Sequence, residues 1–570
     1  MSNLQPIKID TYDFKVIRET NSIYVDKTQY LVKLFGKSTR VFFSRPRRFG
    51  KSLMISLLEN LYLGRRDLFN GLAIEGHLDD PIFQPHPVIY LDMSSVSTDE
   101  GIDVFRGELI EKINIMAEKN NIKVSNISLG SAFETLISQI AERHAKPVIL
   151  IDEYDCPLVD TYDDPTYQEQ IRNVLRGFYR RIKSCDKYIH IAYITGISKF
   201  SKIGIFSAAN NIVDFSTNQD YCTMFGYTDK EIFDNFSDYL PETAEALNMN
   251  VEGLLTNLKA YYDGYTFCGE SSVYNPVSVL SFFSSRRFRD YWIETGSQEF
   301  IEKYISSRNV KFEDFDGSEY EIPFSLVESP GEITQLLEPA LCLYQAGYLT
   351  AKKSDKVLDY YLTYPNQEVR TAMLRLVKRN FFSSKIEESQ QIKEFRNNLL
   401  NGNYAGIFTT FYRVISWSPH EDFEKAEARD DFALECFYRE PLFIFLRTAG
   451  FDVDIEYHGN LGQPNIVLQL PAKTYVFEIK VSRTGTPYDI KKKFKESVEQ
   501  MIVKNYLGPH ENPVPVCLTV NGKLRRIEYA AIAGDVYEFV PQGFDGPPAT
   551  FNKISDIKTF LEQFEAESSR

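Results

Sequence analysis

Apolar residues fall into short continuous runs separated by stretches of helical period. Val41-Phe42-Phe43, VIYLDMS (88–94), PVILI (147–151) and HIAYITG (190–196) are near-unbroken apolar runs, the pattern of strands buried on both faces of a parallel sheet. Between them LMISLLENLYL (from Leu53), 102–118, 131–144 and 165–184 repeat at helical spacing. Strands alternating with helices predict an α/β fold with a parallel sheet. Later, Thr228 is a candidate N-cap and Asn275-Pro276 opens a helix. Residues 337–350 read as a helix ending at Gly347, 355–370 as a strand and then a helix opened near Asn366, and 371–418 as helical. Residues 431–450 read as a helix interrupted at Pro441. Strands follow at 451–459, 465–470 and 474–481, then a helix at 490–508, a strand, Asn521-Gly522 turn and strand over 514–532, and a polar tail helix.

Composition narrows the class without naming it. The 570 residues suggest roughly three domains. With 43% hydrophobic and 25% charged residues the chain reads as soluble. No apolar run approaches a membrane span, and MSNLQPIKID lacks the pattern of a signal peptide. Seven scattered Cys without CxxC predict neither a disulfide framework nor a zinc site, and a cytoplasmic location. A net charge of −15 weighs against a generic nucleic-acid coat, though a local basic groove would escape that count.

SRPRRFGKS (44–52) carries the clearest chemistry. It lies between the first apolar run and a helix, which is the context of a phosphate-binding loop. Gly50 allows close backbone approach, and the helix N-terminus offers N–H groups and a positive dipole end. Lys51 reaches the β/γ-phosphates and Ser52 ligates Mg²⁺. Phe49 and Leu53 complete the cradle. Arg45 stands where the usual motif has its first Gly, and with Arg47 and Arg48 it makes the loop cationic. Tyr24 and Asp26, just upstream, are candidates to contact an adenine, or else a structural cap.

The run at 147–151 ends in Asp152-Glu153-Tyr154-Asp155, the Walker B arrangement. Asp152 would hold Mg²⁺, and Glu153 would polarise the attacking water. Thr195, or Ser198, ending the run at 190–196, would sense the γ-phosphate. Arg172, Arg176, Arg180 and Arg181 recur near one helical turn; such a face is usually solvated or salt-bridged, though one could reach a neighbouring subunit's nucleotide.

These segments, with YVDKT (24–28), LIDEYD (150–155), TGISKFSK (195–202), FGYT (225–228), YDGY (262–265) and YNPVS (274–278), resemble a bacterial family of AAA-ATPase-like proteins with a PD-(D/E)xK nuclease-like C-terminal domain. The resemblance implies a P-loop core with strand order 5-1-4-3-2, and Arg45 is a trait of that family. Near the C-terminus a helix and hairpin bring Glu478-Ile479-Lys480 onto the last strand, where Glu478 would bind Mg²⁺ and Lys480 would orient water. The family's Gly-Arg-x-Asp is here Gly462-Gln463-Pro464-Asn465. Asn465 is a neutral and poorer ligand for a hard cation, and Glu435, Glu440 and Asp454 are candidates to supply a further carboxylate. Gln500, Lys504 and Tyr506 match the family's trailing residues. Residues 480–504 hold seven Lys or Arg against three acids, a candidate phosphate-backbone groove.

The expected architecture is therefore a P-loop ATPase domain (1–284), a mainly helical, winged-helix-like middle module (285–420), a restriction-endonuclease-like α/β domain (421–545) and a tail helix (546–570). The expected function is Mg-dependent ATP binding and hydrolysis coupled to a nuclease-like module, intact or degenerate, acting on or binding DNA or RNA. The alternative is an ATP-switched interaction protein whose nuclease-fold domain is catalytically dead and binds a protein. Expected cofactors are ATP and Mg²⁺. A homo-oligomer is compatible with the pattern, and no membrane is expected.

Overall fold

The four apolar runs become four of the five strands of one sheet. Strands β1 (Arg40–Ser44), β2 (Val88–Asp92), β3 (Val148–Asp152), β4 (Ile191–Gly196) and β5 (Val213–Asp214) pair in the order β2-β3-β4-β1-β5. Every pairing is parallel, and the order is the one expected. The molecule is described from a computed structural model covering residues 4–124, 127–197, 209–294, 320–323, 326–327, 339–353, 359–373, 388–416, 431–454, 465–470, 472–504, 506–508, 510, 512–541 and 550–568.

Helices Ile102–Lys119, Leu129–Arg143 and Pro165–Ser184 bury their apolar stripes on the sheet. Phe105, Leu109, Phe133, Leu136, Leu175 and Phe178 form one core with Ile149, Ile151 and Ile194. Polar side chains set the helix starts: Ser128 and Thr228 form capping boxes, and Asn275 accepts from the Ser278 N–H. In register, Ser44 stands beside Gly196 and Asp92 beside Asp152. The loops after β1, β3 and β4 thus leave from one edge, where parallel α/β sheets bind ligands.

The chain divides into two compact units, Met1–Met373 and Leu374–Arg570. The division falls inside the stretch read as a single middle module. Its first part belongs to the unit of the parallel sheet and holds an antiparallel sheet of β8 (Tyr320–Pro323), β9 (Thr350–Lys353) and β10 (Asp359–Thr363) in the order β8-β10-β9, next to a short hairpin of the preceding stretch, β6 (Tyr265–Thr266) and β7 (Ser272–Val273). Thr350 Oγ1 accepts from the Thr266 N–H at 2.8 Å and ties hairpin to sheet. Asn366 Oδ1 accepts from the Val369 N–H, opening the helix that follows β10.

The second unit holds a seven-stranded sheet, β11 (Asp452–Asp454), β12 (Ile466–Leu470), β13 (Lys473–Ser482), β14 (Pro513–Asn521), β15 (Arg526–Ile532), β16 (Asp535–Val540) and β17 (Thr550–Asp556), paired in that order. Only β13 and β14 run parallel, and helix Pro487–Val503 makes the crossover such a pair requires. Phe494, Val498 and Met501 on that helix pack with Val476, Cys517 and Phe560.

Three readings are corrected. Pro441 lies inside a continuous helix, Asp431–Thr448, rather than interrupting it. The tail is a strand, β17, as well as a helix, Ile557–Ser568. Cys222 and Cys268 are paired as a disulfide, with Cα atoms 5.8 Å apart. They stand 46 residues apart in the chain, so spacing gave no hint of it. Among the described residues no helix is long and apolar enough to cross a membrane.

Candidate functional site

β1 ends at Ser44, and six residues later Gly50 adopts φ +91° as the N-cap of helix Lys51–Tyr62. That left-handed turn suits Gly, because an L side chain there would be strained. The helix start has no side-chain cap, and an added Cβ at Gly50 would meet open space. Uncapped N–H groups at an open helix start are the donor set a phosphate needs, so the residues present fit a nucleotide phosphate. Ser52 and Leu53, half-buried, form the first turn.

Lys51 is buried, and its ammonium donates to the carbonyls of Arg45 and Pro46, both at 2.9 Å. Burial pushes its pKa down, against the opposing pull of Glu153, Asp152 and Asp155. Asp152 ends β3, and its Oδ1 accepts from the Thr195 hydroxyl of neighbouring β4 and from the Glu153 N–H. Glu153 has φ +47°, an uncommon conformation for a side chain of its size and one that clusters at functional sites. Burial raises the pKa of its carboxyl, while Lys51 acts to lower it. Asp155, fully buried, accepts from the Ile197 N–H, and the Tyr154 N–H donates to the Thr195 carbonyl. Those two bonds lock the ends of β3 and β4 together. Asp155 was not assigned a role from the sequence, although LIDEYD contains it.

Other expected ligands are placed differently. The Arg45 guanidinium is buried 4.1 Å from the centre of the Phe267 ring and donates to the carbonyls of Ser44 and Ser216. Burial lowers its pKa to about 10. Its charge serves the loop's own frame, not the space above the helix start. Arg48 is exposed at φ +70°, and Arg47 is half-buried. Phe49 is buried against Tyr265 and Phe267. Asp26 accepts from the N–H groups of Thr28 and Ala73, one with each oxygen, and Tyr24 packs edge-on to Phe14. YVDKT is thereby built as a structural turn. Arg172 and Arg181 pair with Glu169 and Glu134, a salt-bridged face. Ser198 lies outside the described residues.

The second unit gathers its own cluster. Glu478, fully buried on β13, lies 3.1 Å from the Lys480 ammonium, which also contacts Glu435 of helix Asp431–Thr448 at 3.0 Å. Burial raises the Glu478 carboxyl to about pKa 7, with Lys480 opposing. Asn465, at the head of β12, accepts from the Ile479 N–H at 2.8 Å. Its carboxamide oxygen therefore holds strand register beside Glu478 and is a poor fit for the cation it was expected to ligate. Gln500 donates to the Tyr506 hydroxyl at 2.8 Å, and Gln500 and Lys504 line the same cleft as Glu435 and Lys480. Among the described residues no group of three or more His, Cys, Asp or Glu gathers as a metal site. Three of the lysines expected to face nucleic acid are engaged: Lys491 with Glu567, Lys495 with Glu565, Lys493 with Glu496.

A glycine-capped helix start after β1, an acidic strand end on β3 and a polar strand end on β4 between them define a P-loop protein of the parallel α/β class. A model of predicted AAA-ATPases, the AAA-ATPase-like family, matches residues 6–206. An uncharacterized protein encoded in the vnfD 5′ region of Azotobacter chroococcum mcd 1 is 30% identical over 481 residues, covering 84% of this chain and 89% of that protein. The chain belongs to one family with that uncharacterized protein, and its residues 6–206 carry an AAA-ATPase-like domain. Among solved structures, the ORC2 protein of Aeropyrum pernix, in ADPNP–ADP complexes, is 10% identical with a TM-score of 0.24, covering 67% of this chain and 96% of that one. The ORC1 protein of Aeropyrum pernix, in complex with DNA, is 12% identical with a TM-score of 0.23, covering 62% and 93%. Scores this low carry no argument about this chain.

Proposed function

We propose that the first unit binds and hydrolyses Mg·ATP at the edge formed by Gly50, Lys51, Ser52, Asp152, Glu153 and Thr195. The observation that carries this is the convergence of Lys51 and the β3 and β4 ends on one uncapped helix start. The helix N–H groups and Lys51 hold the phosphates. Ser52 and Asp152 would hold Mg²⁺, which would supply positive charge to the β/γ-phosphates. Glu153, its carboxyl raised by burial, is suited to accept a proton from water. Thr195, bonded to Asp152, couples the metal-binding carboxylate to β4. Glu153→Gln should lower kcat for ATP by roughly 100-fold or more while leaving the ATP dissociation constant within about threefold. Undiminished turnover in this variant would remove Glu153 from the chemistry.

In the second unit we propose a nuclease-like centre that binds or cleaves nucleic acid under control of ATP turnover. What favours it is the Glu435–Lys480–Glu478 cluster at one end of β13. Mg²⁺ there would be held by Glu478 and Glu435. Lys480 would orient water toward a phosphodiester. The test is metal-dependent cleavage of plasmid DNA, linear DNA and RNA, with and without ATP, beside Glu478→Ala. Cleavage lost in the variant supports an active centre. The second reading, a module that binds a protein partner without cleaving, is favoured by the bonded carboxamide of Asn465 and would show as no cleavage in either protein.

A further inference from the structure

The loop lacks the first glycine of the usual motif, and its backbone is held from outside the parallel sheet. The indole N–H of Trp292 donates to the carbonyl of Arg47 at 3.1 Å. A trans peptide sets its carbonyl and N–H in opposite directions, so this bond fixes where the Arg48 N–H points, within the cradle itself. Trp292 is itself held. Its backbone N–H donates to Glu368 Oε1 at 2.7 Å, and Glu368 Oε2 accepts from the Ser278 hydroxyl at 2.7 Å. Glu368 is fully buried and Trp292 nearly so. Tyr265 and Tyr348 pack edge-on to the indole. Gly347, at the end of helix Pro339–Ala346, lies on Pro46 so closely that a Cβ would stand 2.6 Å from the proline ring.

Three consecutive loop carbonyls are thus occupied: Arg45 and Pro46 by Lys51, and Arg47 by Trp292. When Lys51 turns to a phosphate, it releases the first two. The third remains tied to Trp292, and through Glu368 to helix Pro276–Ser285 and the segment after β10.

We propose that Trp292, anchored by Glu368, is a positioning residue for the phosphate-binding loop, and that through it helix Pro276–Ser285 and residues 359–373 respond to the nucleotide. The inference rests on the reading that the loop binds ATP. A neutral hydrogen bond of this kind, if its loss falls on the bound state, weakens binding by about five- to tenfold.

The chain has two tryptophans, so Trp417→Phe leaves Trp292 as the sole indole emitter. In that full-length protein Mg·ATP should shift the emission of Trp292, and Lys51→Ala should abolish the shift. Trp292→Phe, which keeps an aromatic ring and loses the donor, should weaken ATP binding by about five- to tenfold in calorimetry run at a temperature where circular dichroism shows the variant folded. Glu368→Gln, which keeps shape and size, should weaken the emission shift and serves if Trp292→Phe does not fold. An unmoved emission with ATP demonstrably bound would overturn the inference, as would full ATP affinity in Trp292→Phe. No calorimetric binding of ATP to the unaltered chain would overturn the functional reading itself, and with it this inference.

Discussion

Single residues show how far a motif and its use can diverge. Arg45 sits at a signature position, yet its charge is directed to the Ser44 and Ser216 carbonyls and the Phe267 face. A cation–π contact and two carbonyls can stabilise a buried guanidinium that would otherwise be costly, and they fix a loop that has no glycine at that place. Asn465 makes the complementary case. An Asp there could keep the bond from the Ile479 N–H and add a negative charge beside the raised carboxyl of Glu478. Asn465→Asp should therefore gain more from Mg²⁺ than the parent does: about 2–4 °C of additional melting temperature on adding Mg²⁺, since ligand binding to the folded state adds stability. Equal Mg²⁺ shifts in the two proteins would show that position 465 does not face the cation.

At the scale of elements, the clearest sequence signals were the ones physics makes redundant. The strands at 88, 148 and 191 and the helix at 165–184 announce themselves by uninterrupted burial or by period, and the structure follows them to within a residue or two. β5 has two residues and no pattern. β16 was missed because the hairpin before it turns on Ala533-Gly534, both at positive φ, instead of the Asn-Gly that advertises such a turn. The element joining Glu368 to Trp292 carries a pH prediction. Burial, with Asp290 adding repulsion, raises the Glu368 carboxyl to about pKa 8 against an ordinary value of 4.5. Between those values the folded protein holds a proton that the unfolded chain has lost. Its contribution to stability is therefore fully present below about pH 4.5 and falls as pH rises toward 8, by up to about 1.4 kcal/mol per pH unit. Glu368→Gln should flatten that decline in melts taken from pH 5 to pH 8.5. A parallel decline in both proteins would assign it to other groups.

Across the whole chain, the reaching parts of the candidate site were legible and the holding parts were not. Lys51, Asp152, Glu153 and Thr195 each stand at or just past the end of a strand or begin a helix, so local pattern places them at one edge once the sheet is parallel. Trp292 meets Arg47 across 245 residues, and Glu435 meets Lys480 across 45. No local period encodes such meetings; they follow from tertiary packing. Charge behaves likewise. The lysines of helix Pro487–Val503 look free in the sequence, but acids of the final helix neutralise part of that face, which tempers the expected affinity for a phosphate backbone.

The central claim is that the edge at Lys51 binds Mg·ATP, and titration calorimetry of the full chain with Mg·ATP, beside Lys51→Ala, tests it most directly. The account predicts saturable binding at one site per chain, weakened roughly 30-fold or more when the Lys51 ammonium is removed, as expected for loss of a charge-assisted contact to phosphate. Equal affinity in the two proteins would contradict it.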